Sequence, residues 1–292
     1  MKVSIIVTTY NQQLQTDLVL YSLCLQKRVE FSDIEVIIVD DGSKVPYQLF
    51  KSVKPIVNCV DIKVIFQNNQ GRAGARNTGI RIASNDFLIF VDGDRVLDEL
   101  FVYHYLKMAR DGLNIGCVKE VYCRDLTSYD NITKKIEHKQ VKTPYYIHQT
   151  DVLYNNGMTD SGVAWITTFS GNMGIHKKYL EKAGLFNDSF QNWGFEHFEL
   201  GYRLQKKGVP FYRIDATNYH LAHARDMYSL ELNIRDSIVQ FDSIHGDPVL
   251  HDFQRFLFGE LSLQEFETNS NASWLTIHLD DIFVGVGKRG VG

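Results

Sequence analysis

Four short apolar runs in the first 110 residues constrain the fold more than any other feature of this sequence. They occupy residues 3–7, 35–39, 62–66 and 87–91 and are rich in β-branched side chains. Runs that are apolar on both alternating faces are typical of strands buried on both sides of a parallel sheet. Segments with helical spacing, at residues 14–28 and 73–83, lie between them. The pattern predicts an α/β fold with helices on both faces of a mostly parallel sheet.

Polar clusters follow three of these predicted strands: TTYN at 8–11, DDGS at 40–43 and DGD at 92–94. Ligands of open α/β sheets bind beyond the carboxyl ends of the strands, so we expect a site there. Asp92 and Asp94 flank a glycine and can place oxygen ligands near one hard divalent cation, which would bridge a diphosphate. Taken alone, DGD also describes a solvated turn, and DDGS a turn with a helix N-cap.

Two charged helix starts provide further candidates. Arg72 and Arg76, in the segment GRAGARN, could hold a phosphate at a helix N-terminus, although a solvated basic helix face is the alternative. Glu196 and Glu199 lie three residues apart in the first turn of another predicted helix, which Gly208 would end as a left-handed C-terminal residue. That spacing places both acids on one helix face, where either could act as a general base or accept a hydrogen bond from a sugar hydroxyl. Compensation of the helix dipole is the alternative explanation.

Charge and apolar patterning exclude several classes of protein. Lys and Arg number 31 against 35 Asp and Glu, so the formal net charge is −4 and no basic excess favours nucleic-acid binding. No apolar run approaches the roughly 18–20 residues of a membrane-spanning helix, and the N-terminus lacks the features of a signal peptide. Four cysteines without a CxxC pair favour reduced thiols over a disulfide framework or a zinc site. We therefore expect a cytoplasmic protein without a transmembrane segment.

Six segments occur in an order that resembles family 2 glycosyltransferases of the GT-A fold. They are SIIVTTYN (4–11), VIIVDDGS (36–43), NQGRAGARNTGI (69–80), FLIFVDGDR (87–95), FSGNMGIHKKYLEKAGLFNDSF (169–190) and NWGFEHFELGYRL (192–204). The second half is most similar to the chondroitin-polymerase-like and galactosyl- or N-acetylgalactosaminyltransferase-like branch. The resemblance implies a Rossmann-like, mostly parallel sheet flanked by helices, and transfer of a sugar from a nucleotide-diphosphate donor.

The resemblance also implies a role for each motif residue. Contacts to uracil and ribose are implied for Thr8, Tyr10, Asp40 and Asp41, and contacts elsewhere on the nucleotide for Arg72 and Arg76. Asp92 would touch ribose or metal, Asp94 would bind Mn²⁺ or Mg²⁺ together with the diphosphate, and His220 would be a further metal ligand. The donor-sugar pocket would include Gly171 and Asn172, with Trp193 stacked on the sugar or the acceptor.

Three regions of one protein follow from the motifs and the helical pattern. Residues 1–110 would form the nucleotide-sugar-binding half, and residues 111–224 the acceptor and catalytic half of the same GT-A domain. Within the second half, residues 111–165 are expected to be an irregular excursion over the substrate. Residues 225–292 would form a C-terminal helical extension with a mobile tail.

The predicted extension contains two amphipathic helices, over 226–243 and 247–268. One apolar stripe is formed by Leu230, Ile234, Ile238 and Phe241. Packing against the core is the favoured interpretation of this stripe. An acceptor platform, a dimer contact or peripheral contact with a membrane surface are the alternatives.

The sequence departs from the family pattern at one position. Inverting members carry Glu-Asp where this chain has Glu196-His197, and the family's general base is usually that Asp. Either Glu196 or His197 takes the proton from the acceptor hydroxyl, or the enzyme retains configuration and needs no such base; inversion is favoured.

The resemblance implies a metal-dependent glycosyltransferase that uses a UDP-sugar donor. A glycan, lipid-linked, peptide or small-molecule acceptor would each be compatible with the motifs. A nucleotidyltransferase and an inactive nucleotide-sugar-binding relative are the alternative functions.

Overall fold

A single nine-stranded sheet organises the computed structural model, which describes residues 1–51, 60–122, 129–137, 140–191, 194–221 and 227–270. The strands are β1 (Val3–Thr9), β2 (Ile34–Asp40), β3 (Asp61–Phe66), β4 (Phe87–Asp92), β5 (Arg95–Leu97), β6 (Leu113–Val121), β7 (Val141–Lys142), β8 (Asn172–His176) and β9 (Phe211–Leu221). The helices are α1 (Gln13–Cys24), α2 (Gly71–Ile82), α3 (Phe101–Met108), α4 (Tyr129–Glu137), α5 (Tyr145–Thr150), α6 (Lys177–Ala183), α7 (Glu196–Lys206), α8 (Met227–His245) and α9 (Pro248–Leu257).

The sheet has a parallel half and a mixed half, in the order β3-β2-β1-β4-β8-β6-β9-β5, with β7 paired to β6. The four strands predicted from the apolar runs, β1 to β4, all pair in parallel. Beyond them, β8 runs antiparallel to both β4 and β6, and β5 runs antiparallel to β9. The α/β prediction is confirmed, but the sheet is mixed rather than mostly parallel. Strand β5 follows β4 after only two residues but lies at the end of the strand order, where it pairs with β9.

Helix positions agree with the sequence pattern at most points. Helix α7 ends next to Gly208, whose φ of 70° gives the predicted left-handed C-terminal residue. The single helix predicted over 247–268 is wrong, because α9 ends at Leu257 and helix resumes only at 263–270. Gly259 has a φ of 74° and interrupts the helical path between these pieces. The predicted mobile tail lies outside the described residues.

The region 111–165 is more regular than predicted. It contains the long strand β6, the short strand β7 and helices α4 and α5. Strand β7 pairs with the end of β6, where Glu120 and Val121 face Lys142 and Val141. This pairing places the segment beside the carboxyl end of β6.

The C-terminal helices pack on the segment around Trp165 through an aromatic cluster. Trp165 has no exposed surface, and its ring lies 4.6 Å from that of Phe253 and 5.8 Å from that of Phe241, centroid to centroid. Ile238 and Phe241 of the predicted apolar stripe are 5% and 1% exposed. Ile234 packs against the same core cluster, so residues 234–241 of the stripe are core, as favoured by the sequence; the side chain of Leu230 lies outside what the structure describes.

Two expectations about the whole chain can be checked on the described residues. Cys24 and Cys117 are free thiols there. Within the same described ranges, no helix combines the length and apolar character needed to cross a membrane.

Glu35 joins the first three strands at the end of the sheet opposite the polar clusters. Its carboxylate lies on β2 and accepts hydrogen bonds from Ser4 on β1, Lys63 on β3 and Ser84 in the turn before β4. Burial raises the pKa of Glu35, but these donors outweigh it and lower the pKa to about 2. A carboxyl whose pKa is lower in the folded state contributes stability above its unfolded pKa and loses that contribution as pH falls.

We expect Glu35→Gln to lower the free energy of unfolding by about 2 kcal/mol at pH 7, because the ionised acceptor of four hydrogen bonds is lost. The difference from wild type should shrink between about pH 4.5, the unfolded value, and pH 2. Urea unfolding at several pH values measures it. Glu181→Gln, on the exposed side of α6, is the control, and an equal loss in both variants, or a loss independent of pH, would contradict the assignment.

Candidate functional site

Three strand ends meet at the carboxyl edge of the parallel half. In register, Thr8 on β1 lies between Val39 on β2 and Asp92 on β4. The peptide N–H of Gly93 donates to the carbonyl of Thr8 at 2.8 Å. The predicted polar clusters are therefore brought together at one edge of the sheet.

The acids after β2 stabilise the loops of this edge. Asp40 is fully buried and accepts hydrogen bonds from the backbone N–H groups of Ser43, at 2.9 Å, and Tyr47, at 2.6 Å. Asp41 accepts from the side chain of Gln67 and from the backbone N–H of Gln70. These bonds fix the loop after β2 against the start of α2, so the structure gives both carboxylates a positioning role.

A buried arginine connects the two halves of the site. Arg76 on α2 is 2% exposed and donates to Asp92 Oδ1 through Nη2 and to Glu196 Oε1 through Nη1, both at 2.8 Å. Asp92 ends β4 in the first half of the chain, and Glu196 begins α7 in the second half. Burial raises the pKa of each carboxyl, but nearby cationic groups outweigh it and hold both pKa values well below the usual range. Both acids are therefore ionised at neutral pH.

A second arginine donates a hydrogen bond to the other carboxylate oxygen of Asp92. Arg95 Nε donates to Asp92 Oδ2 at 3.1 Å. Gly171 lies directly beside this pair, and a Cβ at position 171 would overlap both Asp92 Oδ2 and Arg95 Nε. Position 171 therefore requires glycine, because any side chain would displace the pair. Asp92 has each oxygen on a guanidinium, which leaves it poorly suited to bind a metal ion directly.

Asp94 and His220 are neighbours, as the sequence predicts for metal ligands. His220 Nε2 lies 3.6 Å from Asp94 Oδ2, which also accepts a hydrogen bond from Gln12 at 3.2 Å. Burial raises the pKa of Asp94, but the interactions with His220 and the charge of Arg95 together outweigh it, so this pKa is lowered. Among the described residues, no group of three or more His, Cys, Asp or Glu side chains is arranged to hold a metal. The oxygen and imidazole donors fit a divalent cation that takes its remaining ligands from water or substrate.

The first turn of α7 separates the two acids that the sequence placed on one face. His197 Nδ1 lies 3.6 Å from Glu196 Oε1, and the imidazole is 17% exposed. Glu199 instead accepts hydrogen bonds from Arg203, one turn later, and from His245 at the end of α8. The two acids therefore have different partners: Glu196 pairs with Arg76, whereas Glu199 pairs with Arg203 on the same helix and with His245 on α8.

The other predicted residues are distributed as follows. Tyr10 is 48% exposed next to the polar edge, and Arg72 is exposed on the first turn of α2. Asn172 is fully buried, and its side chain bonds to Tyr105 and to two backbone carbonyls, so it shapes the sheet rather than a pocket. Trp193 lies outside the described residues.

Sequence reasoning missed two polar residues of the site. Arg95 directly follows the DGD motif, a signal that could have identified it. Asn218, two residues before His220, donates to the carbonyl of Gly171 at 2.8 Å. Nothing in the sequence around Asn218 points to this contact.

Comparisons with known proteins agree with the geometry. Residues 4–175 match the family described as Glycosyl transferase family 2. Hyaluronan synthase of Pasteurella multocida is 31% identical over 234 residues, which cover 73% of this chain and 24% of that protein. Chondroitin synthase of Escherichia coli is 29% identical over 238 residues, which cover 74% of this chain and 34% of that protein. The chain therefore spans between a quarter and a third of the length of these relatives.

Solved structures confirm the fold. S. aureus TarS 1–349 in complex with UDP superposes with a TM-score of 0.57 at 18% identity, over 89% of this chain and 72% of that chain. Its complex with UDP-GlcNAc gives a TM-score of 0.53 at 17% identity, over 82% and 66%. The mixed sheet flanked by helices is thus the GT-A fold. With the family match over more than half of its length, the chain belongs to glycosyl transferase family 2.

Proposed function

We propose that this protein transfers a glycosyl group from a UDP-sugar to an acceptor hydroxyl, with inversion and with Mn²⁺ or Mg²⁺ bound at Asp94. The observation that carries the proposal is the Asp92–Arg76–Glu196 bridge, which brings the strand-end acids and the start of α7 into one site. The UDP and UDP-GlcNAc complexes of TarS, which shares the fold, support the donor class.

Asp94 and His220 are the residues that would hold the cation. Asp92 has both oxygens on guanidinium groups, whereas Asp94 lies beside an imidazole at the same edge of the sheet. A divalent cation bound there would offset the charge of the departing diphosphate. Arg76 and Arg95 orient Asp92, and their two charges balance those of Asp92 and Glu196. The bound cation would therefore supply the positive charge that attracts the anionic diphosphate.

His197 is the group that takes the proton from the acceptor hydroxyl. Glu196 is 2% exposed and bound to Arg76, and its pKa is held well below the usual range, which makes it a weak base. His197 presents Nδ1 to the Glu196 carboxylate, so its Nε2 is the nitrogen that accepts the proton. The carboxylate then stabilises the imidazolium that forms, as in other acid–histidine pairs.

Asp94→Asn should lower UDP release from UDP-sugars by at least about 100-fold, because the ligand charge for the cation is lost. Calorimetry with UDP should also show that Mn²⁺ no longer increases affinity. Asp242→Asn, on the exposed face of α8, is the matched control and should resemble wild type. If Mn²⁺ still increases the affinity of Asp94→Asn for UDP, the assignment of Asp94 as a metal ligand is wrong. If the wild-type protein releases pyrophosphate rather than UDP, the enzyme is a nucleotidyltransferase.

His197→Asn should lower turnover of the UDP-sugar by about 10²–10⁴-fold while leaving the affinity for UDP within about twofold, because a general base acts on the acceptor and not on the nucleotide. Glu196→Gln should lower both turnover and the free energy of unfolding, because it removes one of the two carboxylates that pair with the buried Arg76. His251→Asn, on the exposed side of α9, is the control. Near wild-type turnover in His197→Asn would contradict the base assignment and favour a retaining reaction.

A further inference from the structure

Two buried polar atoms beside Gly171 lack hydrogen-bond partners within the described part of the chain. They are Nη1 of Arg95 and Oδ1 of Asn218. Leaving a buried donor or acceptor unpaired costs about 1–3 kcal/mol, and more for a charged group. Such atoms at the edge of an active site therefore indicate a ligand that pairs with them.

The two side chains lie on neighbouring strands and reach the same residue. Strand β5 pairs with β9, with Arg95 opposite His220 and Leu97 opposite Asn218. Asn218 donates through Nδ2 to the carbonyl of Gly171, and a Cβ at position 171 would overlap Arg95 Nε.

The hydrogen bonds of Asn218 and Arg95 show which atom of each side chain is left for a ligand. Asn218 Nδ2 points to a carbonyl oxygen, so the opposite atom is the acceptor Oδ1. Arg95 Nε bonds to Asp92, so Nη1 remains as a charged donor. Neither atom bonds to the other, and together they offer one donor and one acceptor.

The chemistry of this pair selects a hydroxyl group. A hydroxyl can accept from Arg95 Nη1 and donate to Asn218 Oδ1 at the same time. A phosphate oxygen could accept from Arg95 but carries no proton for Asn218, so a diphosphate does not satisfy both. The position, one residue after Asp94 and against Asp92, lies next to where the diphosphate of the proposed function would bind.

We propose that Arg95 and Asn218 together bind one hydroxyl of the donor sugar and so determine which sugar the enzyme accepts. The inference rests on the proposed function and names the residues that select its donor. A site that hydrogen-bonds a substrate hydroxyl rejects the analogue without it, because its own buried groups are then left unpaired.

The test compares the wild-type protein with Asn218→Ala on the best donor found among UDP-glucose, UDP-galactose, UDP-GlcNAc and UDP-GalNAc, and on the deoxy forms of that donor. In wild type, one deoxy position should lower kcat/KM at least about 100-fold. In Asn218→Ala, the parent donor should lose activity, and the ratio of parent to that deoxy donor should fall to within about threefold. Loss of this ratio is the coupling that a merely structural change would not produce.

Two further variants keep the test decisive. Asn114→Ala removes another fully buried asparagine, whose side chain bonds only to loop backbone at the opposite edge of the sheet, and should retain the wild-type ratio. Arg95→Lys keeps the charge but removes Nη1, and should reduce the same ratio if Asn218→Ala does not fold.

The results distinguish failure of this inference from failure of the proposed function. A ratio in Asn218→Ala and Arg95→Lys that equals the wild-type ratio would overturn the inference, including the case in which buried water satisfies both atoms. Absence of UDP release by wild type from all four donors, with Mn²⁺ and with Mg²⁺, would overturn the proposed function and this inference with it.

Discussion

Burial of Arg76 is the constraint on which the arrangement of this site depends. A guanidinium that is 2% exposed must be paired, since an unpaired buried charge costs several kcal/mol. Its two partners, Asp92 and Glu196, lie 16 and 120 residues further along the chain. Satisfying one cation therefore requires the end of β4 and the start of α7 to meet, and the ring of Phe186, 5.4 Å from the guanidinium carbon, closes one side. The pairing of this charge with both Asp92 and Glu196 therefore brings the two halves of the fold into one site.

The ion pairs of Arg76 distinguish acidic residues that look alike in the sequence. Asp92 and Glu196 are paired with arginine, and in the proposed function they position groups rather than react. Asp94, two residues after Asp92, lies instead beside His220, and His197, one residue after Glu196, lies at the exposed end of the network. In the proposed function, Asp94 binds the cation beside the structural acid Asp92, and His197 accepts the proton beside the structural acid Glu196.

The local parts of this structure were predictable and the long-range pairings were not. Apolar runs predicted β1 to β4, although β3 at the edge of the sheet is only partly buried, and Gly208 predicted the end of α7. Both features depend on residues near in sequence. The partners of Glu199 could not be predicted, since His245 lies 46 residues away and nothing local selects it. Asp40 and Asp41 likewise look like ligand contacts in sequence, yet both carboxylate oxygens of Asp40 and Oδ1 of Asp41 accept hydrogen bonds from nearby loops. The mixed half of the sheet escaped prediction because β5 and β8 are short and their neighbours are distant in sequence.

The central claim is that Asp92 is held by arginine while Asp94 binds the cation. Crystals grown with UDP and Mn²⁺, with data collected at the manganese absorption edge, test it most directly. The account predicts an anomalous peak coordinated by the Asp94 carboxylate and the diphosphate, with Asp92 still bonded to Arg76 and Arg95. A manganese peak coordinated by Asp92, with either arginine displaced, would contradict it.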